Sequence, residues 1–251
     1  MKKAIYLAIL TIVTIVAILV GISIHMGGFA LDIFHVARWF GNDTSADSIT
    51  SNTDLDEFDS IYMDIDALEV NVTVGDKYAM TYEGAENFRP EVDVCEGTLS
   101  VNQKIKGSSL NRSGKVTITV PEGAVLDTVE MNIAAGDIDI DSIVAKSYTL
   151  DISAGDVDIS GGKLETIKLD CAAGDVDISK CEFNDLTANL SAGDFDLKVT
   201  DKIKDYEIDA EASLGTVEIA NHDEDDSYEQ GGSGTKYIKV DVSMGSVNIN
   251  E

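Results

Sequence analysis

Six short segments of this chain share one pattern, a glycine followed by a run in which polar and apolar residues alternate. They read AAGDIDI (134–140), SAGDVDI (153–159), AAGDVDI (172–178), SAGDFDL (191–197), SLGTVEI (213–219) and SMGSVNI (243–249). The first four glycines are 19 residues apart, and the next two intervals are 22 and 30 residues. A fixed period in this range is typical of architectures built from stacked repeats.

The residues around these glycines predict strands with one buried face. The second and fourth positions after each glycine are apolar in all six segments, and alternation of the same period precedes each glycine. A single 19-residue unit cannot bury such a face, but consecutive coils with parallel strands about 4.8 Å apart would form continuous apolar ladders. We therefore predict an all-β fold, a parallel β-helix-like solenoid with repeats of about 19 residues over positions 126–251.

Residues 57–125 are predicted to form an N-terminal β cap region. IYMDIDALEVNVTV (61–74) shows the strongest alternation, and VDVCEGTLSVNQ (92–103) is typical of a hairpin that turns at Glu96-Gly97. VNVTVGD (70–76) resembles a repeat corner, although Lys77 stands where the repeats have an apolar residue. Because exposed strand edges need a cover, we expect this region to close one end of the stack.

The N-terminus predicts a membrane anchor. Two lysines precede 21 uncharged residues (4–24), and a helix needs about 20 to cross a bilayer. The length favours a retained helix over a signal peptide, although the small residues Gly28 and Ala30 would suit cleavage by a signal peptidase. We predict a cytoplasmic stub and transmembrane helix over 1–26, then a juxtamembrane segment and linker over 27–56. The protein would then be a single-pass protein of the cell membrane, with its N-terminus cytoplasmic and its C-terminal domain extracellular.

Composition narrows the function classes. The formal net charge is −28, with 46 acidic and 18 basic residues, so the chain repels nucleic acid, whose binding depends on Lys and Arg. Cationic peptides suit this charge, and a glycan or an envelope protein stays open as a partner. Cys95, Cys171 and Cys181 show no CxxC spacing, and the three histidines form no ligand or triad pattern. We predict no enzyme and no resident cofactor, with Ca²⁺ as the open candidate.

Two columns of aspartates follow the repeat glycines and are the candidate site residues. The first position after the glycine holds Asp137, Asp156, Asp175 and Asp194, and the third position holds Asp139, Asp158, Asp177 and Asp196. By alternation these side chains face solvent. Three interpretations stay open: solubility and edge protection, weak binding of a divalent cation such as calcium, and docking of a cationic ligand. The repeat lacks the nonapeptide of calcium-bound β-rolls.

Several of these segments resemble one known family. EFDSIYMDIDALEVNVTVGD (57–76), the strand that ends at Pro121 and the tandem AGDVDI corners are similar to the bacterial putative adhesin family, a domain-of-unknown-function family of β-strand repeat proteins. The resemblance covers roughly residues 57–251. It implies a β-solenoid ectodomain without recorded catalytic residues, and an association with cell-surface interaction or envelope stress.

These features together predict a membrane-anchored, extracytoplasmic β-solenoid that acts as a non-enzymatic binding, adhesion or scaffolding module at the cell envelope. The alternative is an accessory sensor of cell-envelope stress. Such a sensor would bind a cationic peptide or a metal ion and signal through a membrane partner.

Overall fold

In the residues that the computed structural model describes, the side-chain alternation of the sequence produces twenty β-strands, which confirms the predicted all-β class. The structure describes residues 48–105, 114–220, 222–224, 226–232 and 235–251. The strands are β1 (Ser48–Asp54), β2 (Ser60–Ile65), β3 (Glu69–Gly75), β4 (Ala79–Ala85), β5 (Glu91–Cys95), β6 (Thr98–Gln103), β7 (Gly114–Pro121), β8 (Val125–Ile133), β9 (Ile138–Asp141), β10 (Val144–Ile152), β11 (Val157–Ser160), β12 (Lys163–Cys171), β13 (Val176–Leu190), β14 (Phe195–Val199), β15 (Glu207–Ala212), β16 (Val217–Ile219), β17 (His222–Glu224), β18 (Ser227–Gln230), β19 (Tyr237–Val242) and β20 (Val247–Asn250).

Each repeat forms one coil that contributes a strand to each of two sheets. We call the sheet that contains β9, β11 and β14 sheet A and the sheet that contains β8, β10 and β12 sheet B. A strand of sheet B leads through the glycine corner into a strand of sheet A, as β10 does into β11. β13 runs continuously from sheet A into sheet B. Neighbouring coils pair in parallel and in register at a distance of one repeat, so that Tyr148 lies opposite Ile167 and Val157 lies opposite Val176. The predicted stacking of 19-residue units is confirmed for these coils.

The order of the coils in the stack departs from their order in the chain at both ends. From one end to the other the coils are β6–β7, β2–β3, β8–β9, β10–β11, β12 with the first part of β13, the rest of β13 with β14, β19–β20, and β15–β16. The coil β19–β20 therefore lies between β14 and β16, and the expectation of consecutive stacking is wrong for the last two repeats.

Antiparallel strands cover the two ends of the stack. At one end β5 pairs with β6, β4 pairs with β7, and β1 pairs with β4. At the other end β18 pairs with β15, and β17 pairs with β16. These strands take the place of a further coil at each end, as expected for a stack whose outer edges would otherwise be open.

The inward-facing residues of both sheets form one continuous apolar core. Phe195 and Val217 are 0% exposed, as are other inward residues of both sheets. Burying one such Val, Ile or Phe side chain contributes roughly 1.5–3 kcal/mol. Cys171 stands three residues before Gly174, in an apolar column of the repeat, which predicts a core position. The structure confirms this position, because the Cys171 thiol is buried and free. The thiol of Cys181 is also buried and free. Burial raises the pKa of Cys171 to about 11 and that of Cys181 to about 12.

The structure corrects three expectations in the irregular regions. The predicted linker is wrong from Ser48 onward, since β1 pairs along its whole length with β4. Residues 70–76 are not a corner, because the corner of this coil lies at Leu68, where the side-chain Oε1 of Gln103 accepts hydrogen bonds from the backbone of Asp66 and Ala67. The acidic and glycine-rich composition of HDEDDSYEQGGSG (222–234) predicts a surface loop, but the segment contains β17 and β18.

The predicted localisation is also corrected. The described residues contain no helix that is long and apolar enough to cross a membrane. Their helical elements are two 3-10 turns of three residues each, whereas a span needs about 20 residues. The single-pass membrane placement is therefore not supported. The predicted anchor (4–24) lies outside the described residues.

Candidate functional site

The corner glycines form a column in which each backbone fills the space beside the next. A Cβ atom built on Gly155 would overlap the carbonyl oxygen of Gly136, and one built on Gly174 would overlap that of Gly155. The φ angle of Gly155 is +143°, a conformation that residues with a side chain rarely adopt. The same overlap links Gly193, Gly245 and Gly215. Only glycine lets the corners approach this closely, and the close approach aligns the residues that follow.

The aspartates of the first column accept hydrogen bonds from backbone N–H groups of the neighbouring corners. The N–H groups of Gly155 and Val157 donate to carbonyls of the next coil, but the N–H of Asp156, between them, points to the previous coil. There the Oδ1 atom of Asp137 accepts it at 3.1 Å. The same bond recurs from Asp175 to Asp156 at 2.9 Å and from Asp194 to Asp175 at 2.8 Å. These carboxylates therefore have a structural role that the sequence did not reveal.

The second aspartate column has no comparable role. Asp139, Asp158 and Asp177 lie directly opposite one another in sheet A, with exposed side chains. Partial burial, and then the charges of Asp177 and Asp139, raise the pKa of Asp158. Partial burial also raises the pKa of Asp196, although a hydrogen bond from Asn248 opposes the shift. Like charges stacked at the strand spacing of about 4.8 Å repel one another.

Two shallow grooves run along this second column. One has a volume of about 480 Å³, and the other has a volume of about 350 Å³. Asp139, Asp158 and Asp177 line both grooves, and Asp141 and Ser160 line the first alone. We name the outward surface formed by the two aspartate columns the acidic face. It offers an extended row of carboxylates. Neither of these two grooves is an enclosed cavity.

The carboxylates run in parallel columns and do not converge on one point. Among the described residues, no group of three or more His, Cys, Asp or Glu side chains is placed to hold a metal ion. Each aspartate of the first column already uses one carboxylate oxygen to accept a hydrogen bond from a backbone N–H. Calcium binding by the eight aspartates stays a prediction.

Residues 113–250 match the profile of the Toastrack DUF4097 family, which is more than half of the chain. The chain belongs to the Toastrack DUF4097 family. The predicted resemblance to the putative adhesin family is thereby confirmed. No curated protein matches the chain.

Three solved structures are among those that are similar to this chain. A putative cell adhesion protein from Clostridium sporogenes is 17% identical, with a TM-score of 0.49, and the match covers 81% of this chain and 98% of that one. A putative adhesin from Bacteroides fragilis is 18% identical, with a TM-score of 0.48 and coverage of 83% and 100%. A putative lipid binding protein from Parabacteroides distasonis is 15% identical, with a TM-score of 0.32 and coverage of 79% and 96%.

In this Toastrack chain all eight predicted aspartates lie on the outward side of sheet A, as alternation predicts. The sequence-based prediction missed two groups that extend the acidic face. Glu69 continues the first column, because its neighbour Val70 pairs with Ile138. Asp141 borders one groove. Asn248, which the third position after Gly245 places in the second column, lies opposite Asp196. Glu69 would have been found if Leu68 had been recognised as a corner without glycine.

Proposed function

We propose that this Toastrack chain is a non-enzymatic binding module whose acidic face docks a cationic partner. The observation that carries the proposal is the second aspartate column. From Asp139 to Asp177 its side chains accept no hydrogen bond of the fold, and these like charges repel one another across the ladder. Partial burial, and then the charges of Asp177 and Asp139, raise the pKa of Asp158. A cation laid along the column would remove that repulsion, and the binding energy would include its relief.

The extended shape of the column favours an extended cation over a single ion. Successive carboxylates are about 4.8 Å apart along the stack, and the grooves beside them are open and are lined by residues of several successive coils. A peptide with several basic side chains could contact successive coils at once, and such multivalent contact raises the overall affinity. A surface of this kind suits an adhesive or scaffolding role.

The test compares two variants that each remove four negative charges. D139N/D158N/D177N/D196N neutralises the second column, and E130Q/D151N/E165Q/E211Q neutralises four exposed carboxylates of sheet B as the matched control. Binding of a labelled octalysine peptide is measured by anisotropy at physiological ionic strength. We expect the first variant to weaken binding at least about tenfold and the control to weaken it about twofold, since charge pairs act mainly over one Debye length.

Equal losses in the two variants would show that only net charge matters and would sink the proposal. The same proteins test the calcium prediction, because a calcium site on the acidic face would raise the melting temperature of the control variant and not that of the column variant. No shift of either at millimolar calcium would remove calcium as a ligand. The alternative role as a stress sensor stays a prediction.

A further inference from the structure

A second surface lies at the end of the stack formed by β5. This strand joins β6 through a two-residue turn at Glu96 and Gly97, whose φ angles are +50° and +79°. Two positive φ angles define a type I′ turn, and the residues that flank such a turn exchange hydrogen bonds. Cys95 and Thr98 are therefore a hydrogen-bonded pair, and the pairs alternate from there along the hairpin.

This alternation determines which backbone groups of β5 are free. Val94 lies opposite Leu99 and Val92 lies opposite Val101, and both are non-hydrogen-bonded pairs. The N–H and C=O groups of Val92 and Val94 thus point away from β6. Among the described strands, β6 is the only one that pairs with β5, so no strand covers that edge. The edge offers two donors and two acceptors at the spacing of a β-ladder.

The inward side of the same edge is apolar and only half covered. Val92 and Val94 are partly buried and pack on the core, and beside them is a groove of about 380 Å³ whose lining includes Leu55 and Met80. At the opposite end of sheet B, the inward residues of β18 are Tyr228 and Gln230, and the Gln230 side chain donates hydrogen bonds to the carbonyls of Ile203 and Tyr206. That end is closed by polar contacts, whereas the core at β5 would accept one more strand.

The outward side chains of β5 indicate the charge of a strand that would pair with its free edge. Glu91 and Asp93 are exposed, and Asp56 and Asp93 also line the groove with one basic residue, Arg89. A second copy of this chain that paired β5 with β5 would bring these carboxylates together, which is unfavourable across a ladder. Basic side chains at the alternate positions would instead pair with them.

We propose that the free edge of β5 binds an extended segment of a partner protein by strand addition, with apolar residues beside Val92 and Val94 and Lys or Arg beside Glu91 and Asp93. Main-chain hydrogen bonds would supply affinity, and the alternation would supply specificity. This surface is separate from the acidic face and does not depend on the function proposed for it.

The probe is the labelled peptide KVKVKVK, with VVVKKKK as a control of identical composition and charge. Binding to the full chain is measured by anisotropy at physiological ionic strength. We expect the alternating peptide to bind at least about tenfold more tightly than the control, because only alternation satisfies both sides of the edge. Val94→Pro removes one free N–H and leaves the hydrogen bonds between β5 and β6 intact. This variant should bind KVKVKVK and VVVKKKK with about equal affinity.

A charge exchange keeps the test decisive if the proline variant fails to fold. E91K/D93K changes only exposed side chains and should transfer preference from KVKVKVK to EVEVEVE, a result that the acidic face could not produce. E207Q/E211Q at the far end of sheet B is the control and should leave the preference unchanged. Retained preference for KVKVKVK in E91K/D93K, or equal binding of the alternating and block peptides to the wild-type chain, would overturn the proposal.

Discussion

At the residue scale, the backbone of a neighbouring coil explains each corner glycine better than its own turn does. Gly136 and Gly155 combine a positive φ angle with a carbonyl oxygen in the place of a Cβ atom. Gly123 has a φ angle of +83° but open space around it. Substitutions at these two kinds of glycine therefore distinguish the free-energy cost of an unfavourable φ angle from the cost of steric overlap with a neighbouring carbonyl.

Gly155→Ala should lower the free energy of unfolding by at least about 3 kcal/mol, because overlap with a fixed carbonyl adds to the backbone strain. Gly123→Ala is the matched control and should cost about 1–2 kcal/mol, the cost of the left-handed conformation alone. Urea denaturation of both variants measures the difference. Equal losses would mean that the corners are not in the close contact described here.

The two aspartates that flank Val157 should respond in opposite directions at neutral pH. Asp156→Ala removes the acceptor for the N–H of Asp175 and should cost about 1 kcal/mol. Asp158→Asn removes a repelled charge and should stabilise the fold. Urea denaturation at pH 7 compares the two, and destabilisation by both substitutions would contradict the division of roles between the columns.

The gain from Asp158→Asn should depend on pH with a defined sign. The pKa of Asp158 is raised above its ordinary value of 3.8, so the folded state holds this proton more tightly than the unfolded state does. Ionised Asp158 thus lowers stability above its raised pKa, and that loss disappears as the pH falls below 3.8. The stability difference between variant and wild type, followed from pH 7 to pH 3, should shrink toward zero. High salt at pH 7 should shrink it as well.

At the element scale, alternation predicted the strands and the outward direction of the aspartates, because a side-chain period of two is visible within a single repeat. It did not predict the corner at Leu68, where the amide side chain of Gln103 replaces a neighbouring corner. It also missed β1, a polar edge strand whose inward positions include Ser51 and Thr53. Strands that bury little carry a weak periodic signal.

The coil β19–β20, which is last in the chain, should hold the terminal coil β15–β16 on the stack. β19–β20 supplies the parallel neighbours of β15 and β16, which otherwise pair only with β18 and β17 among the described strands. Truncation after residue 232 should therefore abolish hydrogen-exchange protection in β15 and β16. Protection in β10 and β12, which lie away from the truncation, is the internal control and should persist. Persistent protection of β15 would show that the coil order is different.

At the scale of the whole molecule, the packing of the coils, and not their position in the chain, decides which coils are neighbours. The segments SLGTVEI (213–219) and SMGSVNI (243–249) have nearly the same pattern, so either one satisfies the core beside β14. The sequence therefore could not distinguish their order. The structure places Asn248 opposite Asp196, and Glu218 opposite Asn248.

Disulfide formation between engineered cysteines tests this order most directly. In a Cys95→Ser background, which removes the exposed thiol, Asp196→Cys is combined with either Asn248→Cys or Glu218→Cys. Adjacent strands are about 4.8 Å apart and next-nearest strands about 10 Å apart, and a disulfide needs Cα atoms within about 7 Å. We expect the pair with Asn248→Cys to oxidise and the pair with Glu218→Cys to stay reduced. The opposite result would contradict the inserted coil and restore stacking in chain order.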